Sequence, residues 1–199
     1  MNTMKLILHR ESRIEPGTDG KSMVDFMEDR FGNDTIAGVE VGVYAGAHAR
    51  YMLNKLNLSK LYLVDPYVKY DEYRDGPSEF LDIAKLEAHR RLAPYTNIEW
   101  IYEMSDVASN IVPCDMNFVY LDANHDYHYT SRDISMWYPH VIVGGIFGGH
   151  DYTYSIGTNN NRSGWPSVKQ AVDEFLDKYN YTELHVTNAH NPDWYVIKK

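Results

Sequence analysis

Apolar and polar positions alternate with two periods along this chain, and the change from one to the other marks its elements. Branched apolar residues crowd the run Ile36, Val39, Val41 and Val43, the habit of a buried strand. Beyond Gly42 and Gly46 the spacing lengthens. Ala49, Met52, Leu53 and Leu56 fall three and four apart, on one face of a helix. Residues 36–56 therefore read as strand, glycine turn and helix. The same shift of period recurs downstream. Strands are expected at 60–67, 97–102, 116–121 and 141–147. Helices are expected from Ser78 to Leu92, over a short stretch ending at Ile111, from Thr130 to Tyr138, and from Ser167 to Tyr179. The last turns Val168, Ala171, Val172, Phe175 and Leu176 inward.

The ends of the chain have their own signals. Lys5 to Leu8 reads as a short strand, and Ser22 caps a helix from Met23 to Arg30 that stops at Gly32-Asn33-Asp34. Residues 181–187 and 193–197 read as two strands, and so short a connection forces antiparallel pairing. Strands and helices alternate from about residue 36, which predicts an α/β fold with helices on both faces of a parallel sheet. With no linker and no internal repeat, residues 1–199 are read as one domain, 1–34 forming an N-terminal helical cap and 35–199 the core.

Composition narrows the partners. The chain has 199 residues, 44% hydrophobic and 24% charged, enough for a full core. Its formal net charge is −9 and no Lys/Arg cluster stands out, which opposes nucleic acid as the main partner. No stretch is long and apolar enough for a membrane span, and the apolar run at Leu6-Ile7-Leu8 is too short for a signal peptide. A lone cysteine, Cys114, fits a reducing compartment, so a cytoplasmic location is expected. Whether the chain forms a homo-oligomer stays open.

The glycine turn departs from the dinucleotide fingerprint. Glu40-x-Gly42-x-x-x-Gly46 carries Tyr44 where the glycine that admits a pyrophosphate belongs. A ligand without a pyrophosphate but with positive charge suits that turn and its acid, and S-adenosylmethionine meets both conditions. Asp65 follows Gly42 by about twenty residues, the distance of a carboxylate that accepts ribose hydroxyls. Glu40, Asp65, Ser105, Asp122, His150 and Asp151 all fall at carboxyl ends of expected strands, the edge where open α/β sheets bind ligands. The Gly- and Asn-rich segment 153–164 reads as a loop over that edge.

The segments VEVGVYAG, YLVDPY, FVYLDANHDY and GGIFGGHDY, with the helix SVKQAVDEF, resemble the class I S-adenosylmethionine-dependent methyltransferases, nearest to the catechol and sugar O-methyltransferase group. The resemblance spans roughly residues 20–199. It implies a Rossmann-like doubly wound sheet of seven strands, mostly parallel with an antiparallel C-terminal strand. It also implies that Glu40, Gly42, Tyr44, Gly46, Asp65, Met104, Ser105 and Asp122 meet the cofactor, Met104 and Ser105 flanking adenine. In metal-dependent relatives, positions matching Asp122, His150 and Asp151 hold a divalent cation such as Mg²⁺ or Mn²⁺. Histidine in place of an acid suits a transition metal better than Mg²⁺. His125 stands where catechol O-methyltransferase has its lysine base.

The expected chemistry is O-methylation of a small hydroxylated metabolite or sugar, with Asp122, His125 and His150 as the catalytic group. His125 or His150 would act as base. His48, His89, His140, His185 and His190 have no partner that the sequence identifies. Two rivals remain at this point, an NAD-linked sugar oxidoreductase and a non-catalytic binding protein that keeps the fold.

Overall fold

Strand β2 (Ile36–Val41) is buried on both faces and lies between β3 (Leu58–Val64) and β5 (Met116–Leu121), parallel to each. In the computed structural model, residues 5–9, 22–70, 79–152, 168–187 and 192–199 are described. β4 (Ile98–Ile101) lies outside β3. Outside β5 come β6 (Val141–Gly149), β8 (Trp194–Ile197), β7 (Glu183–Thr187) and, at the edge, β1 (Lys5–His9). β8 is antiparallel to β6 and β7, and all other pairs are parallel. The expected seven-stranded sheet is thus present, and β1 adds an eighth strand beside β7.

Strand alternation decides what each face buries. Leu61, Leu63, Phe118 and Tyr120 pack with α1 (Met23–Phe31), α2 (Ala47–Lys55) and the end of α3 (Glu79–Leu92). Their neighbours Val39, Val41, Val64, Val119 and Leu121 turn the other way. They pack with α4 (Ser105–Ala108), α5 (Tyr127–Trp137) and α6 (Val168–Lys178). Gly38 and Glu40 share the α2 side by the same alternation. A Cβ on Gly38 would lie 2.2 Å from the Phe118 ring, so this glycine makes room for a core aromatic.

Several boundaries move from those expected. β3 stops at Val64, since Pro66 has no N–H for the ladder and the Asp65 side chain takes up the turn. α5 starts at Tyr127, not Thr130, and ends in a single 3₁₀ turn, Tyr138–His140. β6 runs on through Gly148 and Gly149, two residues past the expected end at Phe147, because β5 and β8 press on them. A Cβ would come within 2.2 Å of Trp194 O at Gly148 and of Leu121 O at Gly149. α1 has the expected Ser22 cap, with the Asp25 carboxylate accepting from the Ser22 N–H in return. The loop at 153–164, residues 71–78, the residues 188–191 and His190 lie outside the described residues. Among the described residues, no helix is long and apolar enough to cross a membrane.

Candidate active site

The chain winds outward from β2 through β3 to β4, then returns to place β5 on the other side of β2. Ligands bind at such a switch point because the loops after the two strands diverge. Here the diverging loops are the Gly42 turn and the Asp122 loop, and they touch. A Cβ on Gly42 would lie 2.0 Å from Asp122 O, and Gly42 has φ +93°. Both facts require glycine.

Asp65 holds the turn from the next strand. Its Oδ2 accepts from Val43 N–H at 3.0 Å and Tyr44 N–H at 2.8 Å, and its Oδ1 from Tyr67 N–H at 2.9 Å. Tyr44 has φ 47°, and the Tyr67 hydroxyl donates to its carbonyl at 2.7 Å. Burial raises the Asp65 pKa, with the three N–H bonds opposing it. Two donors already occupy Oδ2, so Oδ1 has the clearer room for a further donor. Asp65 thus shapes the turn as well as facing the cavity.

That cavity, 430 Å³, runs from the turn along the ends of β3 and β5 to α4 and α5. Gly42, Tyr44, Asp65, Met104, Ser105 and Asp122 all line it, as does His125. Glu40 and Gly46 do not. Gly46 sits in the left-handed region at φ +71°, and its Cα faces α3, where a Cβ would meet Ala88 and Leu92 at 3.1–3.3 Å. Glu40, 1% exposed, points beneath the turn into the α2 layer. There its Oε1 lies 2.9 Å from His48 Nδ1, and the imidazole stacks on Tyr120 with centroids 4.0 Å apart. Burial raises the Glu40 pKa. Burial works against charge on His48 too, but the bond and charge of Glu40 outweigh it and leave that pKa raised.

Where Asp122 and His125 line the cavity, four side chains converge from the β5 and β6 loops, His150 and Asp151 lying outside the lining. His125 Nε2 lies 3.4 Å from Asp122 Oδ1 and 3.1 Å from Asp151 Oδ2. His150 Nδ1 lies 3.3 Å from Asp151 Oδ2 and 3.7 Å from Asp122 Oδ1. His150 N–H bonds to Leu121 O at 3.0 Å, fixing the β6 loop against β5, and Asp151 has φ 61°. The Asp151 hydrogen bond raises the His150 pKa to about 9. Burial opposes ionisation of Asp151, but the two imidazoles lower its pKa. Ligand atoms of Asp122, His125 and Asp151 all lie within 4.8 Å of one another, a set that could hold a metal ion and that groups His125, in place of the expected His150, with the two carboxylates.

Sequence reading missed the inner end of the cavity, where Arg132 and Asp133 of α5 line the wall. The signal was present: Thr130, Asp133, Ile134 and Trp137 form the buried stripe of α5, and an acid on such a stripe is unusual. Other histidines find structural partners: His140 Nδ1 lies 3.2 Å from Pro113 O, His89 Nε2 2.7 Å from the Tyr102 hydroxyl, and His185 stacks on Tyr195.

Known proteins agree with this architecture. A rRNA methylase from Streptococcus thermophilus superposes with TM-score 0.60 at 16% identity, over 88% of this chain and 93% of its own. The O-methyltransferase NovP gives 0.60 at 20% identity, over 88% and 76%. The O-methyltransferase TomG from Streptomyces achromogenes, solved with S-adenosylmethionine, gives 0.61 at 9% identity, over 89% and 78%. Among curated proteins no sequence matches. A family model described as a methyltransferase domain matches residues 39–152, more than half of the chain, from the glycine-turn strand through the His150-Asp151 loop. The chain belongs to this methyltransferase family, and its fold is that of the class I S-adenosylmethionine-dependent, O-methyltransferase-like enzymes.

Proposed function

We propose that this chain transfers a methyl group from S-adenosylmethionine to a hydroxyl of a small metabolite, such as a sugar. One observation carries the reading: a single cavity joins the Gly42 turn and Asp65 to Asp122 and His125 at the strand ends. Asp65 Oδ1 would accept from the ribose, and Met104 lies on the wall beyond it. S-adenosylmethionine supplies an already activated methyl, so the protein's work is alignment and removal of the acceptor's proton.

The carboxylate–histidine cluster supplies both. Asp122 and Asp151 orient the acceptor hydroxyl, and His125, within 3.4 Å of both carboxylates, takes its proton. His150, its pKa raised to about 9, is already protonated at neutral pH and serves as a positive neighbour instead. Two carboxylates with an imidazole also fit a divalent transition cation such as Mn²⁺ better than Mg²⁺, which prefers oxygen. Such a cation, held by Asp122, His125 and Asp151, would supply charge that favours the ionised acceptor. His125 cannot bind a cation and accept a proton through the same nitrogen, so the two routes exclude each other.

Two relatives' names also raise RNA as an acceptor. A net charge of −9 and a cavity wall bearing Asp65, Asp122 and Asp133 oppose a phosphate backbone. The test supplies methyl-labelled S-adenosylmethionine with a panel of sugars and other small hydroxylated metabolites, and separately with ribosomal RNA. Each arm is run with chelator, Mn²⁺ or Mg²⁺. Label in a small hydroxylated product supports the reading. Label in RNA alone overturns the acceptor class, and no transfer to any acceptor favours a binding protein.

A further inference from the structure

Helix α3 carries an apolar row on the face it turns to solvent. Phe80, Ile83 and Leu86 recur every three residues and are 49%, 63% and 73% exposed. The opposite face serves the core: Leu81, Ala84 and Ala88 are buried there, and Leu81 reaches the 430 Å³ cavity. The outward row has no part in either, and a contiguous exposed apolar row marks a contact surface.

The charges beside the row define what covers it. Asp82, Leu86 and Arg90 are spaced four apart, a second row that crosses the first at Leu86. Asp82 is exposed and has no ion pair among the described residues. The Arg90 side chain is 72% exposed and gives Nε and Nη2 to Glu87, which leaves Nη1 without a partner among the described residues. Lys85 is turned aside over the Tyr102 ring at 4.2 Å, and Glu87 is neutralised by Arg90 and Arg91. The charge left facing outward is acidic one turn before Leu86 and basic one turn after it.

A second α3 laid antiparallel on this face, with a two-fold axis at Leu86, matches both rows. Each residue before Leu86 then lies opposite the residue equally far after it. Leu86 meets its own copy, Ile83 faces His89, and Asp82 faces Arg90 once on each side of the axis. The apolar row of one helix enters the groove beside the charged row of the other, the packing of helices that cross at a shallow angle. A parallel copy would instead set Asp82 against Asp82 and Arg90 against Arg90.

We propose that this chain forms a two-fold dimer through α3, with Leu86 at its centre and reciprocal Asp82–Arg90 ion pairs across it. The inference is independent of the methyl-transfer reading, since none of these three residues lines the cavity. One helix face per copy lies at the small end of specific interfaces, so the dimer is micromolar and weakens with salt.

Sedimentation velocity of the full chain, from low micromolar to millimolar concentration at low salt, tests it. Wild type is expected to pass from monomer to dimer within that range, and Leu86→Arg to stay monomeric. Asp82→Arg or Arg90→Glu alone should raise the dissociation constant roughly tenfold, and the two together should bring it back near wild type. Far-ultraviolet circular dichroism checks that each variant folds, and the charge variants decide should Leu86→Arg fail to. A wild type that stays monomeric at millimolar concentration overturns the proposal and leaves the face to a different protein. A dimer that survives Leu86→Arg places the interface elsewhere and overturns it too, as does a double variant no tighter than the single ones.

Discussion

Glu40 and His48, on either side of the glycine turn, meet at 2.9 Å beneath it. Strand alternation turns Glu40 toward α2, and the first turn of α2 brings His48 above it. The contact ties β2 to α2 where the turn has no side-chain cap of its own, since Gly46 precedes the helix. Removing one member strands the other. His48→Ala is expected to cost about 3 kcal/mol, and Glu40→Gln, which keeps an acceptor for Nδ1, clearly less. Urea denaturation of the two variants at neutral pH checks the order.

Gly42 should tolerate no side chain. Gly42→Ala combines a φ of +93° with a 2.0 Å approach to Asp122 O, so the β2 and β5 loops must separate. A loss of roughly 2–4 kcal/mol is expected, with cofactor affinity falling further than stability alone explains. Thermal melting with and without S-adenosylhomocysteine measures both.

Asp133 sets a pH dependence of stability. Burial raises its pKa to about 6 from 3.8, so between these values the folded chain binds more protons than the unfolded one. Stability from this group therefore falls as pH rises from about 4 to 6, and the full penalty remains above that. Up to ~3 kcal/mol is involved. Asp133→Asn is expected to melt higher than wild type at pH 7.5 and equally at pH 4. Melting curves across that range test the sign.

Much of this was legible in the residues. The period-2 runs placed the strands, and the acids at their ends, Asp65, Asp122 and Asp151, fell on one edge because parallel strands share a direction. What stayed hidden depends on packing. Glu40 and His48 are partners only through the orientation of α2 on the sheet. The extension of β6 through Gly148 and Gly149 depends on the close approach of Trp194 and Leu121. Asp133 falls inside the expected helix, and only the packing of α5 beside α4 sets it on the cavity wall next to Ser105.

The carboxylate–histidine cluster makes a separable prediction. Asp122→Asn and Asp151→Asn should each lower methyl transfer by at least roughly tenfold, and Asp151→Asn, outside the cavity lining, should leave S-adenosylhomocysteine affinity within a few fold. If a cation is required, chelator should reproduce the loss in wild type and Mn²⁺ should reverse it. Rates insensitive to chelator would assign the proton to His125 unaided.

The central claim is that the cavity beside the Gly42 turn holds S-adenosylmethionine, and calorimetry of purified protein with S-adenosylhomocysteine, and separately with NAD⁺, tests it most directly. The account predicts micromolar binding of S-adenosylhomocysteine, none of NAD⁺, and a marked loss in Asp65→Ala. Binding of NAD⁺ without S-adenosylhomocysteine, or of neither, would contradict it.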